Sequence, residues 1–124
     1  MIRNVIRDSN VRSCYTKFRI SAHRLEIECG RYKNIPISER LCKMCNLGKT
    51  EDEIHFMLEC PKYDTIRSIY LQQCADLCKN FATLNCKDQF IFLLSNENEK
   101  LIETTASYIW QCFNLRLQHL NNVN

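Results

Sequence analysis

Four residues whose side chains bind soft metal ions lie in one short stretch of this sequence: Cys42, Cys45, His55 and Cys60. The two-residue gap between the first two cysteines lets both thiolates reach one ion from a tight turn, in which backbone N–H groups point at the sulfurs. Zinc prefers four sulfur and nitrogen ligands in a tetrahedron. The spacing therefore predicts a closed, structural zinc site, with residues 40–61 folded around the ion.

The residues that interrupt regular structure lie in the same stretch. Both glycines and both prolines fall between residues 30 and 61. The run from Thr50 to Glu53 has the pattern of a capping box, which predicts a short helix from 51 to about 59. Pro61 follows the last ligand directly. Elsewhere the scarcity of glycine and proline favours long helices.

The chain contains nine cysteines, an odd number. We expect no secretory signal, because the first residues lack the apolar stretch that such a signal needs. A complete disulfide framework is therefore not expected, and an intracellular location, nucleus or cytoplasm, is. Cys29 and Cys74 fall on apolar stripes typical of small buried side chains. A second metal site formed by Cys74, Cys78 and Cys86 is the alternative.

Composition predicts one soluble globular domain over residues 1–124. Hydrophobic residues make up 45% of the chain and charged residues 25%, which is ordinary for a folded protein and excludes a disordered tail. The longest apolar run has five residues, so no membrane span is expected. The expected fold class is mostly α, a small helical domain with a loop-rich zinc-binding insert. Its parts are an entry segment (1–12), a helix (13–30), the zinc-binding insert (31–61) and a helical region (62–120).

Apolar residues recur at intervals of three and four along the chain, the period of an amphipathic helix. Besides the short helix of the insert, the pattern predicts four helices, over about 13–29, 62–80, 89–94 and 97–119. Ser13 is the predicted cap of the first of these helices, and Asp88 that of the third. A short strand pair around Arg40–Leu41 is the one extended element that we expect.

Positive charge is concentrated in the first part of the chain. Residues 1–50 carry 11 Lys/Arg and 4 Asp/Glu, a balance of +7, whereas residues 51–124 carry 6 and 10, a balance of −4. A basic half points to an anionic partner. On the predicted first helix Lys17, Arg24 and Arg31 repeat every seven residues beside Ile20 and Ile27. The candidate nucleic-acid contacts are Lys17, Arg19, Arg24, Arg31, Lys33, Arg40, Lys43 and Lys49, with Tyr32 and Met44 as candidates for contact with bases.

Several short motifs also occur in a fixed order. They are the run from Thr16 to Glu28, Gly30-Arg31-Tyr32, Ile35-Pro36, Glu39-Arg40, Cys42-x2-Cys45, Glu51-Asp52-Glu53, His55-Phe56 and Cys60-Pro61-x-Tyr63. From about residue 11 to residue 118 the chain resembles the C-terminal part of reverse transcriptases of non-LTR (LINE-type) retrotransposons. The resemblance implies that Cys42, Cys45, His55 and Cys60 are the zinc ligands, and that the segment binds the element's RNA or its target DNA beside the polymerase.

Catalysis is not expected of this chain. A reverse transcriptase needs an aspartate pair for its two metal ions, and the sequence has no Asp-Asp dipeptide and no glycine-rich phosphate loop. The favoured hypothesis is a zinc-dependent module that binds RNA or DNA with little sequence preference, and no membrane or small-molecule substrate. The alternatives are a structural or protein-interaction module, whose Ile20 and Ile27 would contact the polymerase domain of a full-length element or a second copy, and a non-functional remnant of the element.

Overall fold

Helices make up most of the part of the chain that the computed structural model describes, residues 5–122. The α-helices are α1 (Ser9–Arg19), α2 (Glu26–Tyr32), α3 (Asp64–Leu77), α4 (Cys86–Ser95) and α5 (Glu99–Asn122). Shorter turns of 3₁₀-helix span Ile37–Glu39, Pro61–Tyr63 and Phe81–Thr83, and a π-helical turn spans His55–Glu59. The mostly α fold with a loop-rich Cys/His region is confirmed. No helix within residues 5–122 is long and apolar enough to cross a membrane.

The longest helix, α5, is the centre of the packing, and α1, α3 and α4 all contact it. Tyr108 of α5 stacks on Tyr70 of α3 with ring centroids 4.1 Å apart, and the Tyr70 hydroxyl lies 2.8 Å from the Thr105 hydroxyl. The predicted apolar stripe of α5 is buried at Ile102, Ala106 and Ile109. It ends earlier than the spacing predicts, since Leu117 is 57% exposed.

The single helix predicted over 13–29 is wrong, because the chain breaks between α1 and α2. Ser21 has a φ of 61°, in the left-handed region. The Ala22 N–H donates to the Lys17 carbonyl at 2.8 Å and the Ser21 N–H to the Phe18 carbonyl at 3.3 Å. These two bonds are the Schellman pattern that ends a helix, with serine where glycine is usual. The three- and four-residue spacing of apolar residues therefore continues in the sequence beyond the point at which the helix ends.

The first helix also begins earlier than predicted. It starts at Ser9, and the Asp8 side chain caps it by accepting hydrogen bonds from the N–H groups of Asn10 and Val11. Ser13 is not the cap, and part of the expected entry segment is helical. Residues 1–4 of that segment lie outside the described residues. Similarly, Asn85 caps α4 in place of Asp88.

Candidate metal centre

The side chains of Cys42, Cys45, His55 and Cys60 meet at one point. One ligand atom from each residue lies within 4.8 Å of all the others. The sulfurs of Cys42 and Cys60 are 3.8 Å apart, and the Cys45 sulfur is 3.4 Å from His55 Nε2. This arrangement of three sulfurs and one imidazole nitrogen can hold a metal ion. Cys74, Cys78 and Cys86, the alternative site, do not form a group that could hold a metal ion within residues 5–122.

A short hairpin positions the first two cysteines. Where a short strand pair was expected, Leu41 forms only one isolated antiparallel bridge, with Thr50, and no strand forms within residues 5–122. The Cys42 N–H donates to the Lys49 carbonyl at 2.8 Å. Gly48, with a φ of 68°, allows the tight return of the chain. Within the turn the Met44 N–H donates to the Cys42 sulfur at 3.4 Å. The turn therefore points a backbone N–H group at the Cys42 sulfur, as predicted.

A π-helical turn brings the other two ligands together. The Cys60 N–H donates to the His55 carbonyl at 2.7 Å, a bond across five residues. In an α-helix two residues five apart point in different directions, whereas the wider π turn places them on one side. Cys60 then leaves the helix with a ψ of 124°. The His-x4-Cys spacing thus depends on this one irregular turn.

The cap of this turn is not the predicted capping box. The Asp52 carboxylate accepts from the His55 N–H at 2.8 Å and so caps the helical turn that begins at Glu53 and leads into the π turn, two residues later than expected. The Thr50 hydroxyl donates instead to the Ile37 carbonyl. Glu53 bonds to His23 at 2.7 Å, in a different part of the fold.

A hydrogen bond links the sulfurs of the two buried cysteines, Cys42 and Cys60. A hydrogen bond between their sulfurs raises the pKa of the Cys42 thiol, and burial raises it further. The same bond lowers the pKa of Cys60. The Cys60 sulfur therefore carries the negative charge more readily. A bound metal cation favours the thiolate form of every cysteine that it contacts.

The imidazole of His55 is held with one nitrogen toward the cluster. Its Nε2 faces Cys45, whereas its Nδ1 lies 3.4 Å from the Glu59 carboxylate and makes no hydrogen bond. The side chain is 1% exposed. A carboxylate beside the second nitrogen of a metal-bound histidine orients the ring and favours the required tautomer.

A buried ion pair lies beside the cluster. Glu51 accepts two hydrogen bonds from the Arg116 guanidinium, at 2.9 and 2.8 Å, and a third from the Glu26 N–H at 2.8 Å. The same carboxylate lies 3.9 Å from the Cys42 sulfur. It therefore ties the hairpin to both α2 and α5.

A second buried arginine supports the π-helical turn. The Arg67 guanidinium donates to the Met57 and Cys60 carbonyls at 3.1 and 2.7 Å, and the Tyr108 hydroxyl also donates to the Met57 carbonyl. Carbonyls at the end of a helix have no partner within that helix. Arg67 supplies those partners from α3.

Neither arginine is among the site residues predicted from the sequence, although the sequence contains a signal for both. Arg116 follows the buried Ile109 by seven residues, and Arg67 lies between Tyr63 and Tyr70 on the buried stripe of α3. A lone arginine at a core position of a helix indicates either a buried ion pair or hydrogen bonds from the guanidinium to backbone carbonyls.

The predicted nucleic-acid residues divide into two groups. Arg31 pairs with Glu28 at 3.0 Å, Lys43 pairs with Glu26 at 2.9 Å, and Arg40 donates to backbone carbonyls of Ile27 and Ile35. The other five are exposed and form no ion pair within residues 5–122: Lys17, Arg19, Arg24, Lys33 and Lys49.

Two of the expected placements are wrong. The seven-residue stripe of Lys17, Arg24 and Arg31 does not exist, because the chain is not helical from Ser21 to Leu25. Met44 is buried beside the cluster and cannot contact bases, whereas Tyr32 is exposed.

Comparisons of the chain with family models, curated proteins and solved structures give no match. The fold and the site define the class: a small helical domain with a Cys-Cys-His-Cys cluster that can bind a metal ion.

Proposed function

We propose that the Cys-Cys-His-Cys cluster holds a structural zinc ion. Tetrahedral bonds of the lengths usual for zinc place two sulfurs about 3.8 Å apart and a sulfur and a nitrogen about 3.6 Å apart. The corresponding distances here are 3.8 Å for Cys42 to Cys60 and 3.4 Å for Cys45 to His55. Four protein ligands fill the tetrahedron, so the ion's contribution is to hold the hairpin, the π-helical turn and α3 in place.

We further propose that this zinc-bound domain binds RNA or DNA with little sequence preference, without catalysing a reaction, and that it derives from the tail of a non-LTR reverse transcriptase. The observation that carries the proposal is the set of five exposed cations without ion-pair partners named above. They lie on α1, on the turn after it, after α2 and on the metal-binding hairpin. Positive charge of this kind neutralises phosphates whatever the base sequence.

The experiment is a binding titration of the zinc-loaded protein with a labelled random single strand and a random duplex over a series of salt concentrations. The proposal predicts a linear fall of log affinity with log salt concentration, with a slope equivalent to several phosphates. Removal of zinc with a chelator should weaken binding, because the hairpin that carries Lys49 loses its support. The absence of binding at low salt would contradict the proposal.

One observation favours the protein-interaction alternative. Ile37, Leu41 and Leu47, all on or beside the hairpin, are exposed apolar residues. They would contact a protein such as the polymerase domain of a full-length element. Sedimentation of the zinc-loaded chain over a range of concentrations tests whether this surface pairs two copies, and a Leu41→Ser, Leu47→Ser variant should then remain monomeric.

A further inference from the structure

A groove of about 470 Å³ runs between α1, the turn at residues 20–25 and α5. Lys17 lines it from α1, Arg24 from the turn, and Phe113, Arg116 and Leu117 from α5. The groove exists because α1 ends at Arg19 and the chain reverses at Ser21. After this reversal Arg24 lies on the turn and lines the same groove as Lys17.

The lining of the groove carries positive charge only. None of its lining residues within the described part of the chain is acidic. Two acidic residues pair with residues that line the groove, since Glu51 binds Arg116 and Glu53 binds His23. Lys17 and Arg24 form no ion pair within residues 5–122 and are both exposed. An anion that enters the groove therefore meets two cations and no opposing carboxylate.

The wall on α5 includes two apolar side chains, Phe113 and Leu117, beside Asn114 and Arg116. Leu117 is 57% exposed, although several other residues of the same helix are buried. Phe113 also lines the groove and belongs to the aromatic cluster around Phe56, with ring centroids 4.4 Å apart. Apolar side chains beside a pair of cations fit a ligand that is anionic at one end and flat and apolar at the other.

We infer that this groove binds one nucleotide of a single-stranded nucleic acid, with its phosphate between Lys17 and Arg24 and its base against Phe113 and Leu117. The inference rests on the proposed nucleic-acid binding and names the place and the form of the ligand. A groove of this volume takes one nucleotide, and bases of any identity pack on aromatic and apolar walls. A duplex, whose bases are paired and stacked, cannot place a base there.

The experiment compares two double variants that remove the same charge. Lys17→Gln with Arg24→Gln removes the two groove cations, and Lys79→Gln with Lys87→Gln removes two exposed lysines that do not line the groove. Loss of two phosphate contacts on a single strand lowers the salt slope by about 1.4 and the affinity about 25-fold at about 0.1 M salt. The control pair should change the affinity by less than about 3-fold. All four substitutions are at exposed positions, so circular dichroism should show the same helix content.

A third variant tests the apolar wall separately. Leu117→Ser should weaken single-strand binding by about 5-fold or more without changing the salt slope, because it removes a contact with the base and no charge. Duplex binding by the same variant should be unchanged.

The outcomes separate this inference from the function on which it rests. If the unaltered protein binds no nucleic acid, the proposed function fails. If it binds, and the groove variant and the lysine control lose affinity equally, the function stands and the groove is overturned. Equal effects of Leu117→Ser on single strand and duplex would likewise overturn the inference.

Discussion

Replacement of Glu51 by Gln tests whether the buried ion pair, and not a capping box, holds the metal-binding hairpin. The Glu51 and Arg116 side chains are 1% and 8% exposed, and the carboxylate accepts three hydrogen bonds of 2.8 to 2.9 Å. Glutamine removes the charge and turns an amide N–H₂ toward Arg116, which has no other acidic partner within residues 5–122. Leaving one member of a buried pair uncompensated costs about 3–5 kcal/mol of unfolding free energy. A glutamate acting only near a helix start contributes about 0.3–1 kcal/mol.

The assay is urea unfolding of the zinc-loaded protein, followed by circular dichroism, with the denaturant slope compared among variants. Asp52→Ala should cost about 1 kcal/mol, because it removes the true N-cap. Thr50→Ala, at the predicted cap, should cost less than about 0.5 kcal/mol. Replacing both partners, Glu51→Leu with Arg116→Met, should recover most of the stability lost in the single variant. A cost below about 1 kcal/mol for Glu51→Gln, or a larger cost for Thr50→Ala than for Asp52→Ala, would refute the reasoning.

Three further substitutions follow from the contacts around the site. Arg67→Met leaves the Cys60 carbonyl without its donor and the Met57 carbonyl with only the Tyr108 hydroxyl, so urea unfolding should show a loss of about 1–3 kcal/mol. A loss under about 0.5 kcal/mol would show that the hydrogen bonds from Arg67 do not support the π-helical turn. Gly30→Ala places a Cβ 2.5 Å from Arg40 Cγ and should cost about 1–3 kcal/mol by thermal melting. An unchanged melting temperature would mean that Arg40 moves freely. Ser21→Gly relieves the left-handed backbone at the end of α1 and should stabilise by about 0.5–1 kcal/mol, whereas Ser21→Ala, which keeps the strain, should not.

The metal cluster could be predicted from the sequence because its information is local. Cys42 and Cys45 share one turn, and the spacing to His55 and Cys60 needs only a return of the chain, which Gly48 permits. The sequence pattern does not reveal the π-helical turn, because the choice between an α and a π turn depends on partners elsewhere. Arg67 on α3 is one such partner, and it lies seven residues beyond the last ligand.

The helix content could also be predicted, but not where helices stop. Tyr15, Phe18 and Leu25 continue one helical spacing through a segment that the structure breaks at Ser21. All three are buried, so the spacing correctly identifies core residues while it fails to locate the helix end. The usual marker of such an end is glycine, and its absence here removes the local signal.

The misread acidic residues show the limit of local patterns most clearly. Glu51 and Glu53 match a capping box by position, yet their partners are Arg116 and His23, which are distant in the sequence. A tertiary ion pair outweighs a local capping preference, because burial strengthens the charge interaction and capping contributes only about 1 kcal/mol.

The measurement that tests the central claim most directly is cobalt substitution of the purified protein, read by absorption spectroscopy and metal analysis. The account predicts one Co²⁺ per chain, with the intense visible bands of a tetrahedral site and charge-transfer bands from thiolates. Cys42→Ser, Cys60→Ser and His55→Ala should each weaken or abolish this signal, whereas Cys74→Ser and Cys112→Ser should leave it intact. No stoichiometric binding, an octahedral spectrum, or loss of the signal only in the Cys74 or Cys112 variants would contradict the assignment.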